Sequence, residues 1–221
     1  MKKYDIGKSL MKFLGFNRVL CLSPHPDDVE LGMFGTITKY KDTIFDVFVM
    51  TMGGARGFDD TNKYNRLDEV TEFWNTSTLK NINISSHPGY FEDKQGDSGW
   101  ISFLDTIVNE QSYDCIFIPT YDDSMYEHRF VNNLAPALTR VNPISLIEYS
   151  TVSTLNNWSP NIFVDIKEHY DKKLECLKEF TTQQSKNYFK KETLDSFHTN
   201  FQCMKKGIKI VEKYKLIEVI K

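Results

Sequence analysis

The sequence predicts an α/β fold, a Rossmann-like three-layer α/β/α sandwich around a mostly parallel sheet. Three observations predict it. Short apolar runs alternate with segments of helical periodicity along the chain. Several of these runs are continuously apolar, as strands covered on both faces are. The residues with the most chemistry follow the runs, at the edge where open α/β sheets bind ligands.

The elements are taken in order. Ile6, Leu10, Met11, Phe13, Leu14 and Phe16 recur at helical spacing, interrupted by Lys8 and Lys12. This predicts an N-terminal helical extension over residues 1–17, packed on the body or on a second subunit, with a weak membrane-surface element as the alternative. Strands are predicted at Val19–Ser23, Phe45–Thr51, Ile82–Ser86, Cys115–Thr120 and Ile144–Tyr149, with a short one at Ile162–Asp165. Helices are predicted between them at Val29–Tyr40, Tyr64–Asn75, Trp100–Glu110 and Arg129–Arg140. Two more helices follow, near Lys167–Thr182 and Phe197–Tyr214. Phe58–Asn65 and Asp93–Gly99 are polar and read as loops.

Bulk composition narrows the function. A chain of 221 residues with 40% hydrophobic content supports one substantial core, so a single domain over 1–221 is expected. The net charge of -3 gives no reason to expect a nucleic-acid partner. Cys21, Cys115, Cys176 and Cys203 form no CxxC pair, which suits reduced thiols and a cytoplasmic setting. The N-terminus lacks the apolar run of a signal peptide, and no segment is long enough to span a membrane. The sequence leaves a homo-oligomer open.

The densest chemistry lies in Ser23-Pro24-His25-Pro26-Asp27-Asp28-Val29-Glu30-Leu31-Gly32. Pro26 suits the first position of a helix, and the helix dipole favours Asp27 and Asp28 in its first turn. An ordinary helix start explains that much. His25 and Asp28 are also three residues apart, so a tight turn can aim both at one ion while Asp27 stands close by. Imidazole and carboxylate are ligands that zinc accepts. Gly53, Gly54, Ala55 and Arg56 follow the second strand, His87 the third, and Asp122, Asp123, Tyr126, Glu127 and His128 the fourth. Three of the five histidines thus fall on one sheet edge, which favours a single site.

The chain here resembles the LmbE/PIG-L-like zinc-dependent N-deacetylases. The likeness rests on Pro24 to Asp28 after a strand, then Glu30-Leu31-Gly32 and Gly35-Thr36. Thr51-Met52-Gly53, Arg66 with Glu69, Glu127-His128-Arg129, Glu148, Phe163 to Ile166 and Gln183 extend it over nearly the whole chain. The resemblance implies zinc held by His25, Asp28 and His128, with ferrous iron suited to the same ligands. It implies Asp27 as general base and an N-acetylated sugar or sugar conjugate as the small-molecule substrate. Acetate and a free amine would be the products. One position departs from the pattern. Many members carry a histidine three residues before the last ligand, and this chain has Met125, whose thioether is a poor donor.

Tyr126, Tyr121 and Arg56 are the candidates to replace that histidine at the developing oxyanion. Glu127 is the expected partner that orients His128 or Arg129. His87 reads as a polar turn residue or a substrate contact. Trp158 reads as packing, or as a platform for a sugar ring. Two alternatives stay open at this point. One is hydrolysis of a different N-acyl amide. The other is a non-catalytic protein that binds a metal or a sugar.

Overall fold

The computed structural model describes residues 12–52, 63–94 and 96–220, with only the backbone described for residues 63–65. Seven strands form one sheet in the order β3-β2-β1-β4-β5-β7-β6. They are β1 Arg18–Ser23, β2 Ile44–Val49, β3 Ile82–Ser86, β4 Cys115–Pro119, β5 Ser145–Tyr149, β6 Ile162–Asp165 and β7 Val211–Glu218. β1 to β5 pair in parallel, while β7 runs antiparallel to both β5 and β6. The helices are α1 Asp28–Lys39, α2 Lys63–Ser77, α3 Gly96–Glu110, α4 Tyr126–Leu138, α5 Lys167–Cys176, α6 Lys191–Phe197 and α7 Phe201–Met204. No helix among the described residues is long and apolar enough to cross a membrane.

β1 shows why its run is apolar throughout. Val19 and Cys21 belong to one core layer with Phe34, Phe73 and Tyr149. Leu20 and Leu22 belong to the other, with Trp100, Leu104 and Val131. Successive side chains point to opposite faces, and both faces are covered by helices. α1 also sits unusually close to the sheet. A Cβ on Gly32 would lie 2.7 Å from the Ser150 carbonyl oxygen, and one on Gly35 would lie 2.5 Å from Ile166 Cβ. Larger residues at either position would push the helix, and the loop that precedes it, away from the strand ends.

The C-terminal third departs from the expected pattern. The segment expected as a helix over Phe197–Tyr214 is the end of α6, the short α7 and the start of β7. β7 alternates Glu212, Tyr214 and Leu216 with Lys213 and Lys215, a period of two. Its glutamate is buried, so the segment imitates a charged helix face. The helix expected over Lys167–Thr182 is α5 followed by two 3-10 turns, Leu177–Glu179 and Thr181–Gln183. Of the N-terminal extension, the described part holds only a 3-10 turn at Phe13–Gly15, and Phe13 and Phe16 are buried in the main core. The rest of that expected helix lies outside the described residues. The loop expected over Asp93–Gly99 is in part the first turn of α3.

The strand order reverses between β1 and β4. The crevice at their carboxyl ends is the topological switch point at which this architecture binds ligands. β1 runs into the loop that carries His25, and β4 leads through a short loop into α4, whose first turn carries His128.

Candidate active site

The turn after β1 is built by short local hydrogen bonds. The Ser23 hydroxyl donates to the His25 carbonyl at 2.8 Å, and the His25 amide donates to Asp28 Oδ2 at 2.9 Å. Asp27 sits at φ 126°, a conformation that costs a non-glycine residue roughly 1–3 kcal/mol. The neighbouring structure holds it there. Its carbonyl accepts the Leu31 amide at 2.8 Å, which starts α1.

Three donor atoms converge in the crevice. His25 Nδ1 lies 3.2 Å from His128 Nε2. Asp28 Oδ2 lies 3.2 Å from His25 Nδ1 and 3.3 Å from His128 Nε2. The set has the composition and closeness of a metal-binding group. The edges of this triangle also fit an ion. Four ligands in a tetrahedron about an ion at ~2.0 Å stand about 3.3 Å apart, and three protein ligands leave one position open. Two imidazole nitrogens facing one carboxylate oxygen are otherwise a poor arrangement, because two acceptors compete unless a proton or a cation stands between them.

The surrounding charges favour a cation. Burial works against a charge on His128, but Asp28 and Asp123 flank it and raise it to about 10. Burial would likewise raise Asp28, and the two histidines instead hold it well below the ordinary carboxylate range. Asp27 behaves oppositely. Burial, opposed by Arg66 and reinforced by Asp28, pushes its carboxyl up to about 7. Arg66, on α2, donates to Asp27 Oδ2 at 3.1 Å and to the Pro26 carbonyl at 2.7 Å. Asp27 therefore stands beside the converging atoms, oriented by an arginine.

The His128 ring faces Asp123, a carboxylate that nothing local in the sequence singles out. Asp123 Oδ2 lies 3.1 Å from His128 Nδ1. Asp123 also accepts from the Thr151 hydroxyl at 2.5 Å, the Ser153 hydroxyl at 2.7 Å and the Met125 amide at 2.8 Å. Burial alone would raise the Asp123 carboxyl, but its bonds to His128, Ser153 and Thr151 keep it below the ordinary value. A carboxylate behind an imidazole fixes both its tautomer and its angle to an ion. Asp123→Asn is expected to weaken the binding of a divalent metal ion at the His25, Asp28 and His128 group by roughly 10–100-fold. Competition with a chromogenic chelator checks this, and Glu127→Gln is the control expected to stay at wild-type affinity.

His25, Asp27, Asp28 and His128 line a cavity of about 450 Å³, whose wall also includes Arg66, Ser124, Met125, Val152, Ser153 and Tyr188. Other expected contacts fall elsewhere. Tyr121 and Tyr126 are 52% and 68% exposed and do not line this cavity. Tyr126 instead stacks on Phe130, with centroids 6.3 Å apart. His87 packs edge-on against Trp100 at 5.3 Å, outside the cavity wall. Trp158 is buried, donates its indole N–H to Glu148 Oε2 at 3.0 Å and does not line this cavity. Arg56, with Gly53 and Gly54, lies outside the described residues. Sequence reasoning missed Asp123, Ser153 and Tyr188 in this site. Asp123 was in view after the fourth strand, but nothing local marks it out from Asp122 or Glu127.

The comparisons with known proteins agree on the family and the fold. The sequence model of the family described as PIG-L: GlcNAc-PI de-N-acetylase matches residues 20–139. Over 49 residues the chain is 41% identical to the diacetylchitobiose deacetylase of Thermococcus kodakarensis, a stretch that spans 22% of this chain and 18% of that protein. The crystallised N,N'-diacetylchitobiose deacetylase of Pyrococcus horikoshii superposes with a TM-score of 0.72 at 22% identity, covering 96% of this chain and 87% of that one. The 4-carboxy-2-hydroxymuconate hydratase of Pseudomonas putida KT2440 superposes with a TM-score of 0.73 at 14% identity, covering 93% and 98%. One fold thus carries two chemistries, and the reaction has to be argued from the site.

Proposed function

Because this chain belongs to the PIG-L (GlcNAc-PI de-N-acetylase) family, we propose that it is a zinc-dependent hydrolase removing the N-acetyl group from an amino-sugar derivative. The observation that carries this reading is the convergence of His25, Asp28 and His128, with Asp27 beside them and outside the triangle. A divalent ion held by the three would lower the pKa of a water towards ~7 and polarise a carbonyl. Zinc suits the two imidazoles and one carboxylate, and ferrous iron suits the same atoms.

The chain's own residues do the rest. Asp27 accepts the proton of the attacking water, then returns it to the nitrogen as the C–N bond breaks, because an amine leaves poorly as an anion. Arg66 keeps the Asp27 carboxylate aimed into the cavity through the contact at 3.1 Å. Asp123 keeps His128 at its angle. Ser124 and Ser153 add hydroxyls to the cavity wall near Met125, where the family pattern has an imidazole. Water supplies the oxygen of the released acetate, and the sugar is left with a free amine.

The test is acetate release from a panel of N-acetylglucosamine derivatives. Activity is expected with zinc, loss of activity with a chelator, and recovery when zinc is restored. Persistent inactivity of the zinc-loaded protein across the panel would overturn the reading. It would leave a metal- or sugar-binding protein, or a hydrolase of another acyl amide.

A further inference from the structure

One wall of the cavity has no task in the deacetylation chemistry. Tyr188 lines it, from a 3-10 turn at Asn187–Phe189. Its hydroxyl lies 3.2 Å from Gln183 Oε1. Gln183 Nε2 lies 2.9 Å from Thr182 Oγ1, which lies 2.7 Å from Glu69 Oε2. Glu69 is buried and also accepts from the Thr181 hydroxyl and the Thr182 amide, each at 2.7 Å. The anchor of this row belongs to α2, one helical turn beyond the Arg66 that grips Asp27.

The carboxylate end sets the direction of the whole row. A carboxylate holding three donors only accepts. Thr182 therefore gives its single hydroxyl proton to Glu69, and its oxygen must accept from Gln183. Gln183 turns its NH2 towards Thr182 and its carbonyl oxygen towards Tyr188. Tyr188 then donates its only proton to Gln183. What remains on the Tyr188 oxygen is lone-pair capacity, and no donor among the described residues reaches it. This tyrosine is unsuited to stabilise an oxyanion, which needs a donor. It is suited to receive an O–H.

Resting on the deacetylase reading, we propose that Tyr188 is a positioning residue that accepts a hydrogen bond from a hydroxyl of the sugar ring carrying the acetamido group. The Gln183–Thr182–Glu69 row holds it in the accepting state. The ring is thereby registered against Asp27 and the metal-binding triangle. The contact favours polyhydroxylated substrates over simple acetamides of the same size.

Tyr188→Phe removes the oxygen and keeps the ring. Binding of the methyl glycoside of N-acetylglucosamine and its monodeoxy analogues is measured calorimetrically on zinc-loaded protein, in an Asp27→Asn background that suppresses turnover. Tyr188→Phe is expected to weaken the parent sugar by about fivefold to tenfold. One deoxy analogue is expected to show the same loss on the Tyr188 protein and no additional loss on the variant. Uniform weakening of every analogue would mark a merely structural tyrosine and overturn the proposal, as would unchanged binding. Acetate release by the wild-type protein is scored separately. A protein that releases acetate without the coupling keeps the deacetylase reading and loses this proposal. One that shows the coupling without releasing acetate does the reverse. Failure to bind any of the sugars would overturn this proposal, and acetate release would still decide the deacetylase reading.

Discussion

Asp27→Asn is expected to lower kcat by at least about 100-fold while the protein still binds one zinc per chain. General acid–base catalysis contributes roughly 10²–10⁴-fold, and in the proposed reaction one side chain serves both proton transfers. Asparagine has nearly the same volume, and its carbonyl can still accept from Arg66, so the cavity wall is preserved. The turn keeps its shape because the bonds that build it run from Ser23 to the His25 carbonyl and from the His25 amide to Asp28. Metal content is the second readout, because Asp27 is not one of the three converging atoms. Zinc loss in this variant would make Asp27 a ligand and break the division of labour between the two carboxylates. A rate within tenfold of wild type would remove it as the base. His128→Ala is the contrasting variant, since it takes one corner from the triangle and should lose the metal.

Lys173→Met is expected to destabilise the protein by roughly 3–5 kcal/mol, the cost of leaving one member of a buried ion pair without its partner. Lys173 and Glu212 are both fully buried and lie 2.8 Å apart. Burial pulls the Lys173 ammonium below its ordinary pKa, and Glu212 opposes that fall. Both side chains also grip α1. Lys173 donates to the Leu31 carbonyl at 2.5 Å, while the Gly35 and Thr36 amides donate to Glu212 at 2.8 and 2.7 Å. Leu31 and Gly35 are the residues a regular helix joins to each other. The pair therefore ties α5 and β7 to the helix that begins at the His25–Asp28 turn. Urea denaturation followed by circular dichroism measures the loss. The double variant Lys173→Met with Glu212→Gln should recover part of it, because no unpaired charge stays buried. A single variant within about 1 kcal/mol of wild type would show that the pair is dispensable.

The same pair explains the largest difference between expectation and structure. Glu212 reads as a polar position in a Lys-rich stretch, and the stretch reads as a solvated helix. Lys173, 39 residues earlier, and the Gly35 and Thr36 amides of α1 satisfy that glutamate inside the core, and none of them is near it in sequence. Where the code is local, the reading holds. The parallel strands β1 to β5 differ from their expected bounds by at most two residues, and in β1 and β4 the reason is that a strand covered on both faces is an apolar run. The N-terminal turn differs because Phe13 and Phe16 are held by the core, as when Phe13 meets Phe117 and Tyr214 at 5.4 and 5.6 Å.

The site divides in the same way. The run from His25 to Asp28 placed an imidazole and a carboxylate within one turn, and its position after a strand put it at the ligand-binding edge. Those are local facts, carried by spacing and by the apolar run before them. The partner of each group is not local. Arg66 reaches Asp27 across 39 residues and His128 meets His25 across 103. Asp123, not the adjacent Glu127, faces the His128 ring because of how the loop after β4 folds over Thr151 and Ser153. Tyr188 lines the cavity from just beyond the Thr181–Gln183 turn, which Glu69 anchors beside α2 across more than a hundred residues. Residue spacing can say which side chains share a turn. Which distant carboxylate, arginine or tyrosine completes the site follows from the parallel register of β1 with β4 and from buried polar groups finding partners across layers.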